Sequence, residues 1–353
     1  MKILHVITSL EVGGAQRLLS DLLPLMVRSE NVALLVYNRV DNDFQKRIEQ
    51  AGVKIISLDE HNYHNPIVVF RMRKIFAEYD LVHAHLFPTV YWASLACRGL
   101  KTKLVYTEHS TSNSRRGKWY FRPIEKFMYA RYDKIISISP QTQEALQCWL
   151  RSNDSRFVVI CNGVDIEKFS SARKTVIPKS LIMVSRFASS KDQETVIQAM
   201  MYIDKDAILR FVGDGPNIEH CKQVAKECGV EDRVQFLGAR SDVAELIAES
   251  FIGIQSSNWE GFGLTAVEIM ACGKPIIVSD VNGLRQVVEG AGILFSRGCV
   301  NELAEKVNRL LVDEAYYNET VRKCEQRSHQ FDIRNMVEKY KQIYKRKSKR
   351  WTI

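Results

Sequence analysis

Short apolar runs rich in Val, Ile and Leu alternate along this chain with longer stretches of helical period, and the alternation restarts once near the middle. Strands separated by helix-length segments pair in parallel, because each connection must cross the sheet, and helices then cover both faces. The expected fold class is therefore α/β, of doubly wound type. In the first half strands are expected at Ile3–Thr8, Val32–Tyr37, Lys54–Ser57, Leu81–Ala84, Leu104–Thr107, Lys134–Ile138 and Phe157–Cys161. In the second half they are expected at Leu181–Val184, Ile208–Val212, Val234–Leu237, Ile252–Gln255, Pro275–Val278 and Gly292–Phe295. Between the two series the passage from Glu167 to Lys179 is polar, with Lys168, Ser170, Ser171, Arg173, Lys174 and Pro178. Since 353 residues exceed what one core usually serves, that passage is taken as a boundary between domains 1–167 and 168–330. In the remaining segment, 331–353, Ile333, Met336, Val337, Tyr340, Ile343 and Tyr344 form one stripe at helical spacing, so a helix is expected that packs back on the first domain.

Composition excludes several classes. Hydrophobic residues at 46% and charged residues at 26% are globular proportions, and no apolar run approaches the roughly 18 residues of a membrane span. The opening MKILHVITSL runs into patterned sequence without a small-residue cleavage site and reads as the first strand. Eight cysteines lie far apart, with no CxxC pair and no Cys/His cluster at ligand spacing, so a reducing, cytoplasmic setting and no metal site are expected. The net charge of +9 is uneven: between Lys101 and Lys134 nine bases face three acids, interleaved with Trp119, Tyr120, Phe121, Phe127, Met128, Tyr129 and Tyr132. The segment Arg115–Tyr132 is either a contact for an anionic membrane surface or a solvated helix with a buried aromatic face. The basic stretch Tyr344–Trp351 is a second membrane contact or a frayed end. Nucleic acid is the third possibility and ranks lowest, because no binding motif accompanies the charge, so no nucleic-acid partner is expected.

In open α/β sheets ligands gather beyond the carboxyl ends of strands, so the loops that follow strands are where chemistry is sought. Gly13-Gly14 follows the first strand and opens a helix; it suits an anion, but taken alone a tight strand-to-helix turn is the favoured reading, and a full G-x-G-x-x-G is missing. Ser185-Arg186-Phe-Ala-Ser-Ser-Lys191 sets two cations around a polar turn, which suits a diphosphate, since Arg forks onto phosphate oxygens and Lys adds a point charge. Gly213-Asp-Gly-Pro216 reads as structural. The most informative loop is Ser256-Ser-Asn-Trp-Glu260-Gly-Phe-Gly-Leu-Thr-Ala-Val-Glu268. If Gly261 to Leu264 open a helix, Glu260 stands before its N-terminus and Glu268 about 12 Å along it, a length that suits a nucleotide sugar. The amides of Gly263, Leu264 and Thr265 then face the diphosphate, Glu260 the sugar hydroxyls and Glu268 the ribose. The alternative is an acidic helix start with an unrelated internal Glu.

Taken in order, Gly13-Gly14-Ala-Gln, Thr107-Glu-His109-Ser, Glu125 to Ser139, Asn162-Gly-Val-Asp165, Ser185-Arg186 with Lys191, Gly213-Asp-Gly-Pro216, Val234-Gln-Phe-Leu-Gly238 and Glu260 with Glu268 resemble the retaining glycosyltransferases of family 4, over nearly the whole chain. The resemblance implies the GT-B fold: two Rossmann-like domains facing a central cleft, with a C-terminal helix crossing back to the first. It implies donor contacts from Gly13, Gly14, Arg186, Lys191, the Phe236-Leu237-Gly238 backbone, Glu260-Gly261-Phe262-Gly263-Leu264-Thr265 and Glu268. It further implies catalytic roles for Glu260, His109, Arg186 and Lys191. The Ser after His109 replaces an acidic residue or glycine often found there.

The similarity implies a retaining hexosyl transfer from a nucleotide diphosphate sugar, UDP-linked by family frequency, without metal or cofactor. A saccharide or lipid-linked saccharide acceptor, in bacterial surface polysaccharide or lipopolysaccharide assembly, is expected from the family's frequent work together with the basic aromatic segment Arg115–Tyr132, which would also set the protein at the inner face of the cytoplasmic membrane. A glycosidase needs its two carboxyls about 5–9 Å apart, which the helical spacing of Glu260 and Glu268 opposes. A sugar-nucleotide epimerase and a non-catalytic nucleotide-sugar-binding subunit share the architecture and stay open. A nicotinamide oxidoreductase is disfavoured by the missing glycine fingerprint.

Overall fold

The structure, a computed structural model, describes every residue except Val12, Ser112, Arg173 and Arg346–Ile353. Most of the basic stretch Tyr344–Trp351, and Arg173 of the polar passage, thus lie outside the described residues. The chain divides into two compact units, one from Met1 to Gly163 with the segment starting at Ile333, the other Val164–Asp332.

In the first unit the strands are β1 (Lys2–Val6), β2 (Asn31–Val36), β3 (Lys54–Ser57), β4 (Leu81–His85), β5 (Lys103–Glu108), β6 (Lys134–Ser137) and β7 (Phe157–Val159). They form one sheet in the order β3-β2-β1-β4-β5-β6-β7, and each neighbouring pair is parallel. The second unit holds β8 (Ser180–Val184), β9 (Ile208–Val212), β10 (Val234–Phe236), β11 (Ile252–Gln255), β12 (Ile276–Ser279) and β13 (Ile293–Phe295), in the order β10-β9-β8-β11-β12-β13, again all parallel. Each expected strand is present. Several end a residue or two early, because the chain peels off the sheet into the loops that carry the polar motifs.

Burial on both faces explains why these strands read as continuous apolar runs. Ile3, Leu4 and Val6 of β1 are all fully buried. Leu18, Leu19, Leu22, Leu23 and Met26 of the helix Gly14–Met26 cover one face of the first sheet, and Met72, Phe76, Tyr132 and Leu146 the other. Each such side chain contributes about 1.5–3 kcal/mol by leaving water. The final helix, Ile333–Lys345, buries Ile333, Met336, Val337, Tyr340, Ile343 and Tyr344 in the first unit's core, beside the helix Gly14–Met26. Gly163 sits where the chain passes this helix: a Cβ there would lie 2.4 Å from Ile333 Cα.

Candidate active site

In each sheet the chain moves outward in both directions from one central pair of strands, and loops at that pair diverge to leave a crevice. In the second unit the pair is β8 and β11. Their loops, residues 185–192 and 256–263, are sewn together. The Asp192 amide donates to the Ser256 carbonyl at 3.1 Å, and Ser256 Oγ donates to Asp192 Oδ2 at 2.9 Å. The Asn258 amide donates to Ser190 O at 2.9 Å, and Asn258 Nδ2 to Ser189 O at 3.0 Å. This stitching brings Lys191 onto Glu260: Nζ makes an ion pair with Oε2 and also lies 3.3 Å from Ser257 Oγ. The other oxygen, Oε1, accepts from the Gly261 amide at 3.0 Å. Burial alone would raise the Glu260 pKa, but the Lys191 charge and these hydrogen bonds outweigh it, so the group is held as a carboxylate.

Arg186 is exposed, yet its loop is fixed from below. Gln193 Nε2 donates to both Ser185 Oγ and the Arg186 carbonyl at 3.0 Å. Phe187, in the middle of this polar loop, is buried and stacks edge-on against Phe211. The glycine turn after β9 presses on the same loop: a Cβ on Gly213 would lie 2.1 Å from Ser185 O, and one on Gly215 2.3 Å from Phe187 O. Its role is structural, as its composition suggests.

The helix after Glu260 begins at Leu264 and ends at Ala271. Gly263 is its N-cap, with a left-handed φ of 88°, no side-chain cap and no acid in the first turn. The helix thus starts later than a Gly261 opening would have it, because the left-handed turn at Gly263 must come first. The amides of Leu264 and Thr265 carry the positive end of the helix, while Gly261 gives its amide to Glu260. Phe262 is buried against Phe331, ring centroids 5.5 Å apart, so its side chain belongs to the core. Glu268, a turn into the helix, is 2% exposed. At Phe236-Leu237-Gly238 the Leu237 amide and the Gly238 carbonyl are used to hold the sheet end, at 2.9 and 2.8 Å. The Leu237 carbonyl and Gly238 amide make no such bond among the described residues.

Two contributors to this site were not identified from the sequence. Ser279 Oγ accepts from the Ser257 amide at 2.8 Å and donates to its carbonyl at 3.0 Å, locking the Glu260 loop to β12. Gly283, with φ 93°, passes so close that a Cβ would lie 2.5 Å from Glu260 O. The available signal was Ser279-Asp-Val-Asn-Gly283, a glycine soon after a strand end.

In the first unit the central pair is β1 and β4. Gly13 N-caps the helix Gly14–Met26 without a side-chain cap or a first-turn acid, and open space surrounds the position where Gly14 would carry a Cβ. At the same pair of strands the expected site residue His109 is joined by three histidines not identified from the sequence, His5, His83 and His85. His5 and His83 are register partners on β1 and β4, and His85 lies two residues on, hence on the same face. His5 Nδ1 and His85 Nε2 are 3.0 Å apart, and His85 Nδ1 and His109 Nε2 3.1 Å. His83 bonds Tyr344 OH at 2.5 Å and Thr107 Oγ1 at 2.7 Å. Burial pushes His5 down to about 3 and His109 to about 4, and holds His83 and His85 well below the usual imidazole range. At neutral pH all four are uncharged. The signal was His83-Ala-His85, two imidazoles on one face of a strand.

The basic aromatic segment resolves into two parts. Arg116 pairs with Glu108 at 2.7 Å, and Arg115 with Glu125 at 2.8 Å, and both guanidinium groups are largely buried. Glu125 also accepts from Tyr91 OH at 2.9 Å and from Trp149 Nε1. Arg115, Arg116, Tyr129 and Tyr132 are therefore internal, so of the two readings of Arg115–Tyr132 a membrane contact is left only the outward residues, and the buried aromatic face is present at Tyr129 and Tyr132. What faces outward is Lys118, Trp119 (79% exposed), Tyr120, Ile124, Lys126 and Phe127. No described helix is long and apolar enough to cross a membrane.

Two parallel doubly wound units, the second with a cation and a carboxylate paired at its switch point beside an uncapped helix, define the GT-B architecture of nucleotide-sugar enzymes. The chain belongs to glycosyltransferase family 4 and is a glycosyltransferase. The family profile Glycosyltransferase Family 4 matches residues 12–168, and that of Glycosyl transferases group 1 matches residues 165–331. N-acetyl-alpha-D-glucosaminyl L-malate synthase of Bacillus anthracis is 30% identical over 283 residues, 75% of this chain and 74% of that one. The UDP-Gal:alpha-D-GlcNAc-diphosphoundecaprenol alpha-1,3-galactosyltransferase of Escherichia coli is 26% identical over 76% of this chain and 75% of its own. Among solved structures, Anabaena HepE in complex with UDP-glucose superposes with a TM-score of 0.85 at 22% identity, over 97% of this chain and 98% of that one, a likeness of fold.

Proposed function

We propose that the protein transfers a hexose from a UDP-sugar, with retention of anomeric configuration, to a saccharide or lipid-linked saccharide during assembly of bacterial surface polysaccharide or lipopolysaccharide. The Lys191–Glu260 pair at the switch point of the second unit carries the donor half of this reading. A diphosphate arriving there meets Lys191, Arg186 and the amides of Leu264 and Thr265. Glu260, released from Lys191 by the phosphate charge, accepts hydrogen bonds from the sugar hydroxyls. Glu268 takes the ribose, and the free Leu237 carbonyl and Gly238 amide offer one acceptor and one donor to the edge of uracil. The departing UDP is stabilised by these cations and amides, so the reaction is proposed to need neither divalent metal nor cofactor. The leaving phosphate oxygen takes the acceptor proton on the face it vacates. His109 is proposed to hydrogen-bond a substrate oxygen, and Gly13-Gly14 to let substrate approach the backbone.

Two relatives support the choice of substrates. The Escherichia coli relative is named for a UDP-sugar donor and a diphosphoundecaprenol-linked acceptor, and the Anabaena structure holds UDP-glucose. The outward row Lys118, Trp119, Tyr120, Lys126 and Phe127 supports work at the inner, cytoplasmic face of the membrane, since aromatic and basic side chains together suit an anionic surface. The test is turnover of UDP-sugars in EDTA with lipid-linked saccharides as acceptors. The account requires released UDP and a glycoside whose anomeric configuration matches the donor. Inversion, or turnover only after a divalent ion is added, contradicts it; a product still carrying the nucleotide, formed without acceptor, points to an epimerase instead.

A further inference from the structure

We infer that His5 and His85 act as positioning residues that fix His109 as the neutral Nδ1–H tautomer, so that His109 presents an N–H, and not a lone pair, to whatever it meets beyond the protein. The three rings form a file in which each internal nitrogen is used. His5 Nδ1 faces His85 Nε2 at 3.0 Å, and His85 Nδ1 faces His109 Nε2 at 3.1 Å. A neutral imidazole has one donor and one acceptor, so the direction of the first hydrogen bond sets that of the second. Either every Nδ1 carries the proton or every Nε2 does.

The far end of the file decides between them. His5 Nε2 is buried and has no hydrogen-bond partner among the described residues. If the protons sat on Nε2, this end would be an orphaned N–H in the core, the rarest of unsatisfied groups; a bare acceptor is the less uncommon arrangement. The proton of His5 therefore sits on Nδ1 and donates to His85, and His85 Nδ1–H donates to His109. His109 is left with its proton on Nδ1, which meets no partner among the described residues and lies at the partly exposed end. Burial keeps the whole file uncharged at neutral pH, so a third state with a shared extra proton does not arise.

A bound metal is a poorer account of the same cluster. The ring nitrogens of His5, His83 and His85 fall within 4.8 Å of one another. Yet both nitrogens of His83 are engaged by Tyr344 and Thr107, at 2.5 and 2.7 Å. The His5–His85 separation of 3.0 Å is also shorter than the roughly 3.3 Å between two imidazoles on a tetrahedral zinc at about 2.0–2.1 Å. Under the function proposed above, on which this consequence rests, His109 is then a hydrogen-bond donor to a substrate oxygen and not a general base.

The experiment is a long-range proton–nitrogen correlation spectrum of the histidine rings in the full 15N-labelled chain at neutral pH, with His109 assigned through His109→Gln. The expected result is Nδ1–H for His5, His85 and His109. In His5→Asn, whose amide nitrogen can donate from the position of Nδ1, His109 is expected to stay Nδ1–H; in His5→Asp, whose ionised carboxylate can only accept there, His85 must donate from Nε2 and His109 is expected to become Nε2–H. An Nε2–H signal for His109 in the unaltered protein overturns the inference, as does an unchanged Nδ1–H in a folded His5→Asp. If His5→Asp does not fold, the unaltered spectrum and His5→Asn decide. The readout needs no substrate, so a failure to bind UDP-sugars would sink the proposed function and leave the tautomer result standing.

Discussion

Lowering the pH from about 7.5 to about 5 should destabilise the first unit and leave the second nearly untouched. An unfolded histidine titrates near 6.5, so at pH 5 it is charged in almost every unfolded chain, while His5 and His109 stay neutral in the fold at about 3 and about 4. The unfolded state then binds more protons, and stability falls as pH drops through 6.5. Each group contributes about 2 kcal/mol at pH 5, so the two together cost about 4 kcal/mol out of a usual 5–15. His83 and His85 act in the same direction. Glu108 acts in the opposite one: burial raises its pKa, so protonation favours the fold and offsets part of the loss. In the second unit the lowered pKa of Glu260 matters only in more acid solution. The assay is urea unfolding at a series of pH values, followed by the fluorescence of Trp149, 7% exposed in the first unit, with the other tryptophans replaced by Phe. His109→Gln should recover about 2 kcal/mol at pH 5 relative to its own value at pH 7.5. A first-unit transition that moves by less than about 1 kcal/mol, or a His109→Gln variant with an unchanged pH slope, would show that these histidines are not held neutral in the fold.

Gly283→Ala should push the Glu260 carbonyl away and strain a left-handed residue, costing about 1–3 kcal/mol in the thermal transition of the second unit and weakening UDP-glucose binding at least about tenfold; unchanged affinity would mean that the loop tolerates the shift. Lys118→Glu with Lys126→Glu should abolish sedimentation with anionic vesicles while leaving UDP affinity within about twofold, each base being worth about 1 kcal/mol at such a surface. Equal pelleting with neutral and anionic vesicles would remove the membrane part of the proposal. Glu125→Gln should destabilise the first unit by about 3–5 kcal/mol, because Arg115 loses a buried partner, and a change under about 1 kcal/mol in urea unfolding would show that pair to be dispensable.

The sheets were legible because strands buried on both faces must be apolar along their length, as at Ile3, Leu4 and Val6, and because helix-length gaps force parallel pairing. The loops of Lys191 and Glu260 were legible as polar passages straight after such strands. Other features depend on partners far away in the chain. His5 and His85 stand 80 residues apart and meet only because β1 and β4 pair in one register. Arg115 and Arg116 look like free surface charge in sequence, and it takes the fold to set Glu125 and Glu108 against them. Gly283 is demanded by the Glu260 carbonyl and not by its own neighbours, and Phe187 hides in a polar loop because the Gly213 turn covers it.

A uridine diphosphate sugar is proposed to bind at the crevice of β8 and β11, on Lys191 and Glu268. Calorimetric titration of UDP and UDP-glucose in EDTA, alongside thermal shifts, tests it in the unaltered protein and in Lys191→Ala and Glu268→Ala. Binding without metal is expected, with a melting temperature that rises with ligand concentration and affinity reduced at least about tenfold in both variants, whose own unliganded melting is recorded as the control. Binding that is absent in the unaltered chain, or that persists undiminished in both variants, contradicts it.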